Sequence, residues 1–93
     1  MENRDLTTAD LERDGYQEIA RVNELQVRAE RFGARLRVQR RGKALGKQRY
    51  AYLVDLDPRG PHRHRREEPE VGHDRLRDAE NHLIELENRY GTG

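Results

Sequence analysis

From Ala34 to Leu56 the chain alternates side by side through two consecutive runs, and this period of two limits its fold more than any other feature. Successive side chains of a strand point to opposite faces, so a period of two cannot form one face of a helix. In the first run Leu36 and Val38 share one side, and Arg35, Arg37, Gln39 and Arg41 the other. In the second, Tyr50, Tyr52, Val54 and Leu56 share a side opposite Arg49, Ala51, Leu53 and Asp55. The pattern predicts a β-hairpin with strands Ala34–Arg41 and Gln48–Leu56 joined by Gly42–Lys47, whose two glycines can supply positive φ. The all-apolar sides should meet the core. The opposite face should be wet and cationic, with Arg35 and Arg37 exposed around a small apolar centre of Ala51 and Leu53. Asp57-Pro58 ends the second strand, because proline cannot donate to a ladder.

The flanking segments have helical periods. After a frayed start at residues 1–6, Thr7 or Thr8 can cap a helix with Asp10 and Glu12 in its first turn and Arg28 and Arg31 in its last, where the helix dipole favours them. Leu11, Ile19, Val22, Leu25, Ala29 and Phe32 form one stripe, and Gly33 is a natural residue just beyond the end. These signals predict one long N-terminal helix over 7–33. Gly15 lies within the stripe and could weaken or bend it. Tyr16, Ala20 and Val27, with Asn23 beside them, make a second line on the opposite side. That line is either a contact with another chain or a partly exposed aliphatic flank of the kind surfaces tolerate.

Residues 57–72 are rich in proline, glycine and charge and lack apolar periodicity before Val71, which predicts a mobile surface loop. Asp74 can cap a last helix over 73–91, whose Leu76, Ala79, Leu83, Ile84, Leu86 and Tyr90 share a face suited to the apolar side of the hairpin. The expected architecture is a single α+β domain, 1–93, in the order αββα. With 32% hydrophobic residues its core is thin. A two-stranded sheet also has two open edges, so self-association as a homodimer through Tyr16, Ala20, Asn23 and Val27 is expected to supply the missing burial.

Several chemistries lack material. The chain has no cysteine and no serine; its hydroxyls are Thr7, Thr8, Thr92 and four tyrosines. No glycine-rich run links a strand to a helix, so no phosphate-binding loop is visible. An enzyme is not expected, nor is a cofactor. His62 and His64 stand among arginines that repel a divalent cation, and His73 and His82, nine apart, would fall on opposite sides of one helix, so no metal site is expected. Nothing resembles a signal peptide or a membrane span, which suggests a cytoplasmic protein.

Charge is the remaining clue. The net charge of +1 conceals a division: residues 1–27 sum to −4, residues 28–49 to +8 and residues 50–93 to −3. The cations of the middle segment are Arg28, Arg31, Arg35, Arg37, Arg40, Arg41, Lys43, Lys47 and Arg49. They could neutralise phosphates, since a two-stranded ribbon can enter a major groove. They could also meet an acidic protein, or form a solvated face balanced by acidic helices. Seventeen arginines against two lysines fit bidentate contacts with phosphate or carboxylate, and equally a GC-rich genome. The leading expectation is a small nucleic-acid-binding module. The near-neutral total argues against strong non-specific DNA binding.

The run Tyr50-Ala51-Tyr52-Leu53-Val54-Asp55-Leu56-Asp57, then a loop, then an amphipathic helix from Leu76 to Leu86, resembles small accessory proteins of actinobacteria and their phages. The resemblance spans about forty residues of the second half and carries over no functional residue. It implies a phage or mobile-element accessory protein that binds a host factor, and the second functional expectation is accordingly an interaction or inhibitory module acting on a host protein complex. The stretch 61–72 departs from the short turn usual in such proteins.

Overall fold

Gly15 divides the first helical pattern in two. In the computed structural model, which describes residues 4–56 and 70–90, α1 spans Thr8–Asp14 and α2 spans Ile19–Arg31. Gly15 adopts φ 77° and closes α1, its N–H turned back toward Glu12 and Leu11. Thr7 caps α1 in a reciprocal box: the Thr7 side chain accepts from the Asp10 N–H, and the Asp10 carboxylate accepts from the Thr7 N–H at 2.9 Å. The expected single helix over 7–33 is therefore two. The apolar stripe survived the break on paper because Leu11 and Ile19 keep helical phase across it.

The sheet has three antiparallel strands in the order β1-β2-β3: β1 Ala34–Ala44, β2 Lys47–Leu56 and β3 Val71–His73. Leu36 faces Val54 and Val38 faces Tyr52, the register set by the alternation. The hairpin is longer than its sequence pattern suggests. Its connection is only Leu45-Gly46, with φ 52° and 77°, the two positive values of a type I′ turn. A bulge between Arg40 and Gly42 leaves Arg41 unmatched and moves Gly42 into β1.

β3 corrects the two-stranded expectation. It pairs Val71 with Val54 and His73 with Tyr52, inside what had read as the end of a loop. Three residues with a central glycine carry too little alternation to announce a strand. Gly72 lies so close to Leu53 that a Cβ there would stand 3.2 Å from its Cδ2. Of the expected loop over 57–72, residues 57–69 lie outside the described residues.

α3 spans Leu76–Tyr90. The Arg75 carbonyl accepts from Asp78 and Ala79, so the helix begins there rather than on Asp74, whose carboxylate pairs with Arg41. α2 packs on β1, and α3 on β2 and β3. Val22, Leu25 and Ala29 from α2, Phe32 at its C-terminal cap, and Leu76, Ala79, Leu83 and Leu86 from α3 close over Leu36, Val38, Tyr52 and Val54; Ile84 is only half-buried. Residues 4–6 are not frayed. Leu6 is buried, and its N–H donates to the Val38 carbonyl at 2.7 Å. Gln26 donates to the Leu36 carbonyl at 3.1 Å. Two groups on the outer edge of β1 are thereby satisfied from within the chain. The result is a small α+β domain.

Candidate nucleic-acid interface

The nine cations of the basic segment fall into two groups. Five are held by acids from other parts of the chain. Arg28 donates twice to the Glu87 carboxylate, at 3.0 and 2.5 Å, which raises the guanidinium's pKa and lowers that of the carboxyl. Arg35 makes a bidentate pair with Asp55, directly opposite on β2, at 2.9 and 2.6 Å. Arg37 lies between Asp5 and Glu70, one from each side of the sheet, with its Nε buried and unpaired. Arg41 crosses β2 to Asp74.

Arg40 is the fifth, and it shares the parity of Leu36 and Val38, so it points to the helix side of the sheet. There it makes a bidentate pair with Asp14 at 2.8 Å to each oxygen. Tyr50 donates to the same carboxylate at 3.1 Å. Arg40, first, and the Tyr50 hydroxyl hold Asp14 below the usual carboxylate range. Burial and the nearby carboxylate push Tyr50 up to about 12.

The cationic sheet face expected from sequence is thus largely neutralised. Arg35 and Arg37 are half-buried in ion pairs rather than free. The alternation correctly separated their side from the core, but nothing in a linear pattern pairs Arg35 with Asp55 or Arg37 with Glu70.

The other four cations, Arg31, Lys43, Lys47 and Arg49, are exposed and make no ion pair among the described residues. Arg31 stands apart, at the end of α2. The other three share one element. No residue from Arg41 to Arg49 is buried, so beyond the bulge the two strands form an arm with both faces uncovered. Four β1 residues past Arg40 make it about 13 Å long. The bulge resets the alternation, which puts Lys43 opposite Gln48 on one face, and Lys47 and Arg49 on the other with Gly42 and Ala44. A depression of about 280 Å³ on the arm is lined by Arg41, Lys43, Arg49 and Asp74. At its tip Leu45 is fully exposed, 102% of its reference area, in a left-handed conformation that costs a non-glycine residue roughly 1–2 kcal/mol.

The expected self-association line does not hold together. Tyr16, released from helical phase by the break at Gly15, turns inward. Its hydroxyl lies 2.8 Å from that of Tyr52, and its ring meets Tyr50 edge-on at 5.1 Å. Burial, then the bond to Tyr52, raises the Tyr16 pKa. Asn23 accepts from Thr8 at 3.1 Å. Ala20 and the exposed Val27 remain on the surface, beside a groove of about 720 Å³ between α2 and α3 that Glu24, Arg28, Arg31 and Glu87 also line.

His73 and His82 also differ from expectation. His73 belongs to β3, not to the last helix, and its Nε2 lies 3.0 Å from Nδ1 of His82. Among the described residues no group of three or more His, Asp or Glu is arranged to hold a metal, and no helix is long and apolar enough to cross a membrane. His62 and His64 lie outside those residues. Comparison with known proteins finds no matching family model, no matching curated protein and no matching solved structure.

Proposed function

We propose that this chain is a small nucleic-acid-binding module that works through the distal arm of its hairpin. The observation that carries this reading is the set Lys43, Lys47 and Arg49, exposed and without ion pairs among the described residues, on an element no residue of which is buried from Arg41 to Arg49. Five other cations of the segment are already engaged with carboxylates, so they contribute little free charge to a phosphate backbone. Salt dependence measures the number of contacts. Three phosphates neutralised on a duplex give a slope of log K against log salt of about −3, whereas nine would give about −8. Titration of labelled DNA and RNA duplexes at several salt concentrations should return the smaller value. Lys43→Glu, Lys47→Glu and Arg49→Glu together should remove binding with the circular dichroism spectrum unchanged. Unchanged affinity in that triple variant would rule out the arm as the site.

The near balance of total charge favours a second reading, a phage or mobile-element module that binds an acidic surface of a host protein complex. Equal retention by an unrelated acidic protein and by DNA would support it. In either reading a second copy is the proposed partner of the groove beside Val27. Val27 and Ala20 give the groove an apolar patch, and the Arg28–Glu87 pair at its rim is neutral, so a copy can approach it without net repulsion.

A further inference from the structure

We propose that Leu45 is an apolar wedge that enters the minor groove of a nucleic-acid duplex and unstacks one base step, while Lys43, Lys47 and Arg49 hold the flanking phosphates. The inference rests on the arm being a nucleic-acid site and assigns the tip a distinct task. The type I′ turn asks for Asn, Asp or Gly at its first central position, because φ is positive there. Leucine is poorly suited to it, and φ is 52° all the same. Nor does the side chain gain anything from the fold: it is fully exposed, with no part of the core near the tip. A residue that strains the turn and covers no core has its use outside the chain.

The surroundings indicate the ligand. Lys43 and Lys47 stand two residues to either side of Leu45, and Arg49 two further along β2, with no acid between Arg41 and Arg49. The bulge divides the cations between both faces of the arm, so phosphates on both sides of an inserted tip can be met. An apolar side chain flanked by cations suits a duplex, where leucine is among the residues that open a base step from the minor groove. An acidic protein surface would satisfy the cations but leave Leu45 in water.

Leu45→Asn tests this without endangering the fold, since asparagine suits the turn better. The probe is a duplex of about twenty base pairs carrying 2-aminopurine, whose fluorescence rises on unstacking, prepared intact and with one mismatch beside the reporter. Wild type should bind, raise the fluorescence and prefer the mismatched duplex about tenfold, because its step is already loosened. Leu45→Asn should bind at least tenfold more weakly, lose the fluorescence rise and the mismatch preference, and keep the salt slope near −3. Leu45→Met should restore all three. If wild type and Leu45→Asn bind and unstack alike, the wedge is overturned while the arm remains a phosphate-binding site. If wild type binds neither duplex, both readings fall.

Discussion

Asp14 is the residue on which the α1–α2 corner and the hairpin meet. It ends α1, accepts from two of the three Arg40 guanidinium nitrogens and from Tyr50, whose ring packs against Tyr16 just beyond the corner. Its carboxyl is held below the usual range, chiefly by Arg40, and that fixes the sign of a pH effect. A depressed pKa contributes stability that is fully present above the unfolded value, about 3.9, and is lost as pH falls through the folded value. Asp14→Asn should destabilise by about 1–3 kcal/mol at pH 7, since it removes the negative charge from the bidentate pair with Arg40. The gap to wild type should close as both are melted from pH 5 down to pH 2. A gap that stays constant over that range would show that Asp14 acts through shape and not charge. Asp10 and Glu87, also depressed, lend wild type further acid sensitivity of the same sign. The sequence groups Arg40 with the candidate phosphate-binding cations, although its parity with Leu36 and Val38 puts the guanidinium on the core side of the strand, where it needs an acid. Which acid could not be read, because Asp14 is twenty-six positions away and belonged, on the pattern, to the middle of a helix.

At the scale of elements the same corner decides the sign of one substitution. In a continuous helix Gly15→Ala would stabilise by roughly 0.5–1 kcal/mol, because glycine is a poor interior residue. Here Gly15 has φ 77° with nothing within 4 Å of an added Cβ, so the change meets no clash and only backbone strain. It should destabilise by about 1 kcal/mol. Urea unfolding of the two proteins distinguishes these outcomes, and a more stable alanine variant would restore the single helix. The periodic elements were readable from sequence where burial has one consistent face: α2, α3 and the core half of the hairpin keep their phase from end to end. What periodicity could not give were features fixed by one or three residues. The break needs only Gly15 in a left-handed conformation and Tyr16 anchored to Tyr52. β3 needs only the room that Gly72 leaves for Leu53. The arm was hidden by its bulge, because a single extra residue at Arg41 shifts the alternation and makes a strand read as a loop.

For the whole molecule the open question is how two chains would meet. Edge-to-edge pairing through the middle of β1 is obstructed, since the Leu36 and Val38 carbonyls already accept from Gln26 and Leu6. The surface between α2 and α3 has no such occupant among the described residues. Val27 is 52% exposed there, one of three large hydrophobic residues so exposed among the described residues; the others are Leu45 on the arm and Val71 on β3. A two-fold contact would set Val27 against its copy or against Ala20, framed by Arg31 and by the Arg28–Glu87 pair of each chain. It would also place two arms on one particle and double the free cations available to a duplex. Tyr16 has no part in it, so the contact is smaller than the four-residue line in the sequence suggested, and its affinity should be modest. Wild type, 11.0 kDa as a single chain, should therefore scatter as a dimer when concentrated and approach one chain on hundredfold dilution. Its melting temperature should fall with dilution. Val27→Glu buries an unpaired charge at the centre of the contact and should scatter as a monomer throughout, with a melting temperature independent of concentration. Because Val27 is exposed in the single chain, the substitution should leave that chain's own stability within about 0.5 kcal/mol. A mass near 11.0 kDa for wild type at every concentration would remove the dimer and leave Val27 as an ordinary exposed aliphatic residue.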